Sequence, residues 1–433
     1  MKFISTRNDK NIVNFSQALF QGLAPDGGLF IPRDTADLKD LFNSFSESTS
    51  FVEIASKMTA TLLSDTFTPA QAQTIAEKAY TFSPAIVDLK NDFSILELFH
   101  GRSCAFKDYG ASFLALAMET LLEEKERKAV ILTATSGDTG SAVAQAFAGK
   151  ENIEVVILYP SGRVSPLQEK QLTTIGSNIK ALEVKGSFDD CQRMVKDAFT
   201  DSDITKKINL SSANSINLGR LIPQSFYYVW AYSQIKNNCE DTVFVIPSGN
   251  YGNLTAGLYA QSWGLPVKNY VAATNANDVI PDYLRSGVYK PIPSIHTISN
   301  AMDVGSPSNY ERMAKLFNDN VTNFKKIISA YSIDDDETKR IIKNVYDNEK
   351  YIMCPHTAVG YGAAELYKID HPNSKMMVFS TAHPGKFTEV IEDVINVKPE
   401  LPRELQILEK REKISTLIEN TDEALKDYLL TTY

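Results

Sequence analysis

Ala129-Val130-Ile131-Leu132-Thr133-Ala134-Thr135-Ser136-Gly137-Asp138-Thr139-Gly140 runs from an apolar stretch into a polar, glycine-punctuated turn, and Ser141 to Ala148 then reads as a helix. A short apolar run bounded by turn residues marks a strand buried on both faces, as parallel strands are. The pattern recurs along the chain. Ile246-Pro247-Ser248-Gly249-Asn250-Tyr251-Gly252-Asn253 follows Val243-Phe244-Val245 and leads into a helical stretch from Leu254 to Trp263. Phe379-Ser380-Thr381-Ala382-His383-Pro384-Gly385-Lys386 follows Met376-Met377-Val378 and precedes another helical pattern. Val155 to Leu158, Ala181 to Val184, Val267 to Ala273 and Ile95 to Phe99 add strands, and Phe113 to Glu124 and Pro166 to Ile175 add helices between them. Strands alternating with helices predict an α/β fold with a mostly parallel sheet, and the strand count exceeds one small sheet. In such sheets ligands lie beyond the carboxyl ends of the strands, where the three loops would gather.

The flanks have a different texture. The first ninety or so residues read as a helical unit. Asn14-Phe15-Ser16-Gln17 has the form of a capping box, Gly22 is placed to end that helix, and Thr68-Pro69-Ala70-Gln71 is a second helix start. Between them Phe51, Ile54, Ala55, Met58 and Leu62 recur at helical spacing. Pro399 to Tyr433 is charged and helical in pattern, as a solvated cover would be.

Composition narrows the classes. Of 433 residues, 53 are acidic and 44 basic, a net charge of −9, which argues against nucleic acid as a partner because such binders present a basic face. No apolar run approaches a membrane span, so no membrane partner is expected. Cys104, Cys191, Cys239 and Cys354 are too far apart for CxxC pairs, and Met1 to Lys10 has no apolar core of a signal peptide. A cytoplasmic protein with reduced thiols is expected. The five histidines form no metal-ligand spacing, so no metal is expected, and no Gly-x-Ser-x-Gly elbow is present.

Local chemistry leaves alternatives open. Ser248 to Asn253 reads either as a phosphate cradle, with glycines admitting backbone N–H groups and a helix N-terminus behind them, or as a tight turn needing glycine for sterics alone. Lys107, in Ala105-Phe106-Lys107-Asp108, lies between an apolar strand and a helix. There it is either a surface lysine or one whose amine is tuned for covalent or base catalysis. Asn214, Ser215, Asn217 and Arg220 form either a polar anion pocket with a bidentate arginine or a set of helix caps.

Taken together these motifs resemble the threonine synthase family of pyridoxal-phosphate enzymes of fold type II. The resemblance spans nearly the whole chain. It includes Ser16-Gln17-Ala18-Leu19, Gly22 to Leu29, Glu97 to Gly101, Ala105 to Asp108, Thr133 to Gly140, Ser165 to Lys170, Ser212 to Arg220, Pro247 to Asn253 and Ser380 to Pro384. It implies two open, mostly parallel α/β lobes with a helical N-terminal unit: 1–95 helical, 96–398 the catalytic core, 399–433 a helical extension. It also implies a monomer or homodimer acting on a small molecule.

By the same resemblance Lys107 would hold pyridoxal 5'-phosphate as an internal aldimine and shuttle protons. Ser248, Gly249, Asn250, Tyr251 and Asn253 would cradle the cofactor phosphate, and Thr381 would face the pyridine nitrogen. Ser136 and Thr139 would lie near the substrate carboxylate, and Asn214, Ser215 and Arg220 near the substrate phosphate. The implied reaction converts O-phospho-L-homoserine and water into L-threonine and phosphate, the last step of threonine biosynthesis. A phospho-lyase giving 2-oxobutanoate, a threonine or serine dehydratase and a non-catalytic cofactor-binding protein are the alternatives. Two positions depart from the common pattern. Arg102-Ser103 stands where Pro-Thr is frequent. Asp138 stands where many fold type II enzymes carry asparagine beside the cofactor's phenolic oxygen, and a carboxylate there would repel a phenolate unless protonated.

Overall fold

The computed structural model describes residues 1–123, 128–135 and 137–433. Two open sheets carry the architecture. The larger has six strands in the order Ile328–Ser332, Tyr270–Thr274, Thr242–Pro247, Lys375–Ser380, Phe93–Glu97 and Ala85–Asp88. Every pairing in it is parallel except that of the last two. The smaller has five parallel strands in the order Thr416–Glu419, Ile179–Lys185, Ile153–Pro160, Ala129–Ala134 and Leu210–Ser211. The central strands Ala129–Ala134 and Thr242–Pro247 are buried at every residue, which is why they read as continuous apolar runs rather than alternating ones.

The N-terminal helices form where their caps predicted. The Asn14 side chain accepts from Gln17 N while Gln17 Oε1 accepts from Asn14 N, and Gly22 closes the helix Phe15–Gln21 at φ +69°. Thr68 and Gln71 repeat the box at the helix Pro69–Ala79. The helix Phe51–Leu62 buries the five apolar residues that share its face. Phe51 then meets the ring edges of Tyr80 and Tyr109, joining this unit to the helix Lys107–Glu123. Glu124, the expected last residue of that helix, lies outside the described residues.

Two elements differ from expectation. The helix Asp138–Phe147 begins three residues before Ser141, which moves Asp138 and Thr139 from a loop into a helical first turn. The C-terminal segment is not wholly helical. Its Thr416–Glu419 run pairs with the strand Ile179–Lys185, where a segment carrying the β-branched Thr416 and Ile418 covers an edge whose backbone groups would otherwise be open. The closing helix Asp422–Thr432 buries Leu425 and Leu429 against Cys191 and Val195.

Candidate active site

Lys107 is the first residue of its helix, and the backbone before it is laced to the loop after Lys375–Ser380. Phe106 N donates to the Thr381 carbonyl at 2.9 Å, His383 N donates to the Cys104 carbonyl at 3.0 Å, and Ala105 bridges Ala382. Lys107 and Thr381, predicted to face one cofactor from different segments, are thereby held together. Gly110 explains the next turn. A Cβ there would come within 2.5 Å of the Arg220 carbonyl, so only glycine lets the helix pass the Leu218–Leu221 turn this closely.

The amine of Lys107 stands 3.4 Å from Asp138 Oδ2. The other carboxylate oxygen accepts from Lys386 Nζ at 2.6 Å and from Gln168 Nε2 at 3.0 Å. Lys386 also donates to the Ser103 carbonyl at 2.9 Å, and its side chain has no exposed surface. Burial alone would raise the Asp138 carboxyl, but the ammonium groups of Lys386 and Lys107 overcome it and hold the group far below the usual carboxylate range. Asp138 is therefore an ionised anchor shared by two lysines rather than a protonated neighbour of a phenolate. Burial, aided by Lys386 and Arg220 and opposed by Asp138, lowers the Lys107 amine, the direction that favours a nucleophile or base. His356, in the first turn of the helix Pro355–Asp370, completes this group. Burial pushes its ring down to about 4, so it is neutral; Nε2 accepts from Ala301 N at 3.2 Å and Nδ1 is buried without a partner.

The loop from Ser248 to Asn253 is built without side-chain charge. Tyr251 adopts φ +57° and is buried, turning the chain into the helix Gly252–Ser262, whose first N–H groups face back over the loop. A Cβ on Gly249 would meet Met302 Cα at 2.6 Å. Asn250 spans the cleft: its Nδ2 donates to Ser215 Oγ at 2.7 Å, its Oδ1 accepts from Ser308 N at 2.5 Å, and its carbonyl accepts from Asn309 Nδ2 at 3.0 Å. Asn253 Oδ1 accepts from Tyr227 and Tyr228 hydroxyls at 2.7 and 2.8 Å, which aims a buried Nδ2 with no partner. Ser248 spends its only hydroxyl proton on the Ile246 carbonyl at 2.9 Å.

On the opposite side Asn214 Oδ1 accepts from Thr133 Oγ1, and Thr139 is partly exposed in its helical turn. Ser136 lies outside the described residues. Arg220 is buried, with Nη1 on the Ala213 carbonyl at 2.5 Å and Nε unpartnered. Its guanidinium is thus partly committed to backbone rather than presented as a free fork. Arg102 is exposed, whereas Ser103 turns inward with a buried, unpartnered hydroxyl.

Sequence reading missed three contributors. Lys386 sits inside a quoted motif, and the local signal was simply a lysine at a strand-end loop. His356 follows Cys354-Pro355 at a helix start. Arg312 is buried and donates to the Phe30 carbonyl at 3.0 Å, the Ile216 carbonyl at 2.6 Å and Asn309 Oδ1 at 2.8 Å, bracing the Ser215 segment. Among the described residues no cluster suited to a metal ion occurs, and no helix is long and apolar enough to cross a membrane.

The residues fit an anionic aldehyde cofactor. The buried atoms lacking partners include the donors Asn253 Nδ2, Arg220 Nε and Ser103 Oγ, and Lys107 supplies a depressed amine. Comparison with known proteins agrees. The family model described as pyridoxal-phosphate dependent enzyme matches residues 82–381, that of the threonine synthase N terminus matches 2–80, and that of the threonine synthase C-terminal region matches 357–429. A threonine synthase of Haemophilus influenzae is 40% identical over 99% of this chain and 100% of its own. The crystal structure of Escherichia coli threonine synthase superposes with a TM-score of 0.91 at 36% identity, covering all of both chains. A pyridoxal-phosphate-bound threonine synthase from Brucella melitensis gives 0.93 at 33% identity, covering 99% and 98%.

Proposed function

The chain belongs to the threonine synthase family of pyridoxal-phosphate dependent enzymes, and from that premise we propose its substrate and the division of labour in its site. It is an enzyme with pyridoxal 5'-phosphate as cofactor, and it acts on a small molecule. The substrate is O-phospho-L-homoserine, which with water gives L-threonine and phosphate. The three-part organisation (1–95, 96–398 and 399–433) belongs to the same reading, as does a cytoplasmic location.

Lys107 holds the cofactor, and its Nζ carries protons at Cα and Cβ of the substrate. Asn253 Nδ2, the N–H groups of Gly249 to Asn253 and the helix behind them take the cofactor phosphate. Thr381 faces the ring nitrogen, and a hydroxyl there does not keep that nitrogen protonated as a carboxylate would. Bound pyridoxal phosphate supplies an electron sink for the charge that develops at Cα and Cβ. Thr139 and Ser136 take the substrate carboxylate. Asn214, Ser215 and Arg220 take the substrate phosphate and orient it for departure from Cγ. Ser215 is linked through Asn250 to the cofactor-phosphate loop, so the two phosphate sites share one bridge. Burial of the site excludes bulk water that would divert an unsaturated product to a keto acid.

The observation that carries this reading is the position of Lys107: an amine lowered by burial, first in its helix and pinned to the Thr381 loop. Turnover of O-phospho-L-homoserine with identification of the product tests it. Threonine and phosphate in equal amounts are expected. Mainly 2-oxobutanoate would identify a phospho-lyase, and no phosphate release a non-catalytic relative.

A further inference from the structure

Among the described residues Asp138 is the one carboxylate in ion pairs with both Lys107 and a second buried lysine. The two contacts are unequal. Lys386 Nζ is 2.6 Å from Oδ1, and Lys107 Nζ is 3.4 Å from Oδ2. Gln168 and Ser103 hold this arrangement from either side, the first on Asp138 and the second on Lys386. A buried carboxylate paired with Lys107 alone would keep that lysine as an ammonium group, which is no nucleophile. A second ammonium on the same carboxylate reverses this, because two cations sharing one anion disfavour each other's protons.

We propose that Lys386 is a positioning residue for the reaction: it claims the Asp138 carboxylate and so leaves the Lys107 amine free to take the cofactor and to move protons. The proposal rests on the reading of Lys107 as the cofactor's anchor. It also accounts for an aspartate at a position where asparagine would be the neutral choice, since the charges of Asp138 and Lys386 cancel as a pair.

Other charged groups reach this pair from every side. Asp108 lies on the same helix as Lys107, His356 on Pro355–Asp370, Arg220 on Leu218–Leu221 and Cys104 on the preceding turn, while His383 faces Lys386 and Glu404 faces Cys104 and His383. Burial places Asp108 at about 6, His356 and His383 at about 4 and Cys104 at about 12. Burial lowers Arg220 to about 10, so between pH 7 and 9 all five change little and a titration over that range reads Lys107.

The test is cofactor attachment to the full-length, cofactor-stripped protein, followed by visible absorbance and borohydride trapping from pH 7 to 9. Lys386→Met is expected to move the midpoint of attachment up by about one pH unit or more and to slow trapping about tenfold at pH 7.5. Asp138→Asn/Lys386→Met, which removes both charges, is expected to return the midpoint to the wild-type value. A Lys386→Met midpoint equal to wild type, or a double variant no better than the single, overturns the proposal. Should Lys386→Met not fold, Asp138→Asn and the double variant decide: the single is expected below the wild-type midpoint and the double at it, and equal midpoints overturn the proposal. Cofactor that fails to attach to wild type, or attaches undiminished to Lys107→Ala, instead overturns the assignment of Lys107.

Discussion

The loops around Asn250 and Asp138 occupy equivalent places. Each leaves the carboxyl end of a fully buried parallel strand and enters a helix, yet their polar groups are satisfied by opposite means. The Asn250 loop is neutral, and its amide bonds to Ser215, Ser308 and Asn309 hold a shape that does not titrate. The other turn, with Asp138 first in its helix, holds an ionised carboxylate between two lysines, so its electrostatics depend on protons. In the proposed function one geometry serves twice, once to grip an anion with fixed dipoles and once to set an amine's charge. A reaction that must retain phosphate while moving protons needs both, kept apart.

The largest effect should come from the charged side. Lys107→Ala is expected to lower turnover about 10³-fold or more, since it removes the proposed covalent anchor and proton carrier, and to abolish the cofactor's visible band. Steady-state phosphate release checks this. A variant retaining a tenth of wild-type turnover would break the comparison, because proton handling would then not reside in the cluster of Lys107, Asp138 and Lys386.

Stability should separate the loops next. Asp138→Ala leaves the buried Lys386 ammonium without its counter-charge, at a cost of about 3–5 kcal/mol. Asn250→Ala removes hydrogen bonds at a half-buried neutral site, at a cost of about 1–3 kcal/mol. Urea denaturation of both variants without cofactor measures the difference. Equal losses would mean that the charged cluster is no more demanding than the neutral one.

This contrast also explains what the chain's sequence makes readable. The Asn250 loop is a local object, with glycines, a turn and a helix start in eight consecutive residues. The capping boxes at Asn14–Gln17 and Thr68–Gln71 are local in the same way. The strands were readable because burial on both faces leaves an apolar run. The Asp138 cluster is not local: Lys107, Asp138 and Lys386 come from three segments that only the assembled sheets bring together. Asp138 alone therefore looked like an ill-matched neighbour for a phenolate, because its compensating lysine had no sequence signal. Thr416–Glu419 was missed for a related reason, its partner edge at Ile179–Lys185 lying far along the chain.

Acid should affect the two loops differently. His356 is held neutral by burial at about 4, below its unfolded value near 6.5, so the unfolded chain binds more protons between those limits. Stability is then complete above about pH 6.5 and falls as pH drops toward 4, by up to about 3 kcal/mol for this group. His383, also at about 4, adds to the same window. The depressed Asp138 carboxyl contributes stability that is lost only at lower pH, below its unfolded value near 4. Thermal unfolding from pH 7 to 4 is expected to show the decline, and His356→Gln to flatten part of it. An unchanged slope in that variant would remove His356 from the pH-dependent side of the comparison.

The smallest effect is expected at Ser248, and it sharpens the account of the neutral loop. The hydroxyl's one proton is already given to the Ile246 carbonyl, so toward a phosphate it has no second proton to donate. Backbone N–H groups and Asn253 Nδ2 remain to do that work. Ser248→Ala should therefore weaken cofactor binding by no more than about threefold, within about 0.7 kcal/mol, while costing about 1 kcal/mol of folding stability through the lost bond to Ile246. Fluorescence titration with pyridoxal phosphate, set beside urea denaturation, distinguishes the two. A tenfold loss of affinity with unchanged stability would mean that the hydroxyl turns from Ile246 to the cofactor on binding. The neutral loop would then be a rearranging site rather than a preformed one.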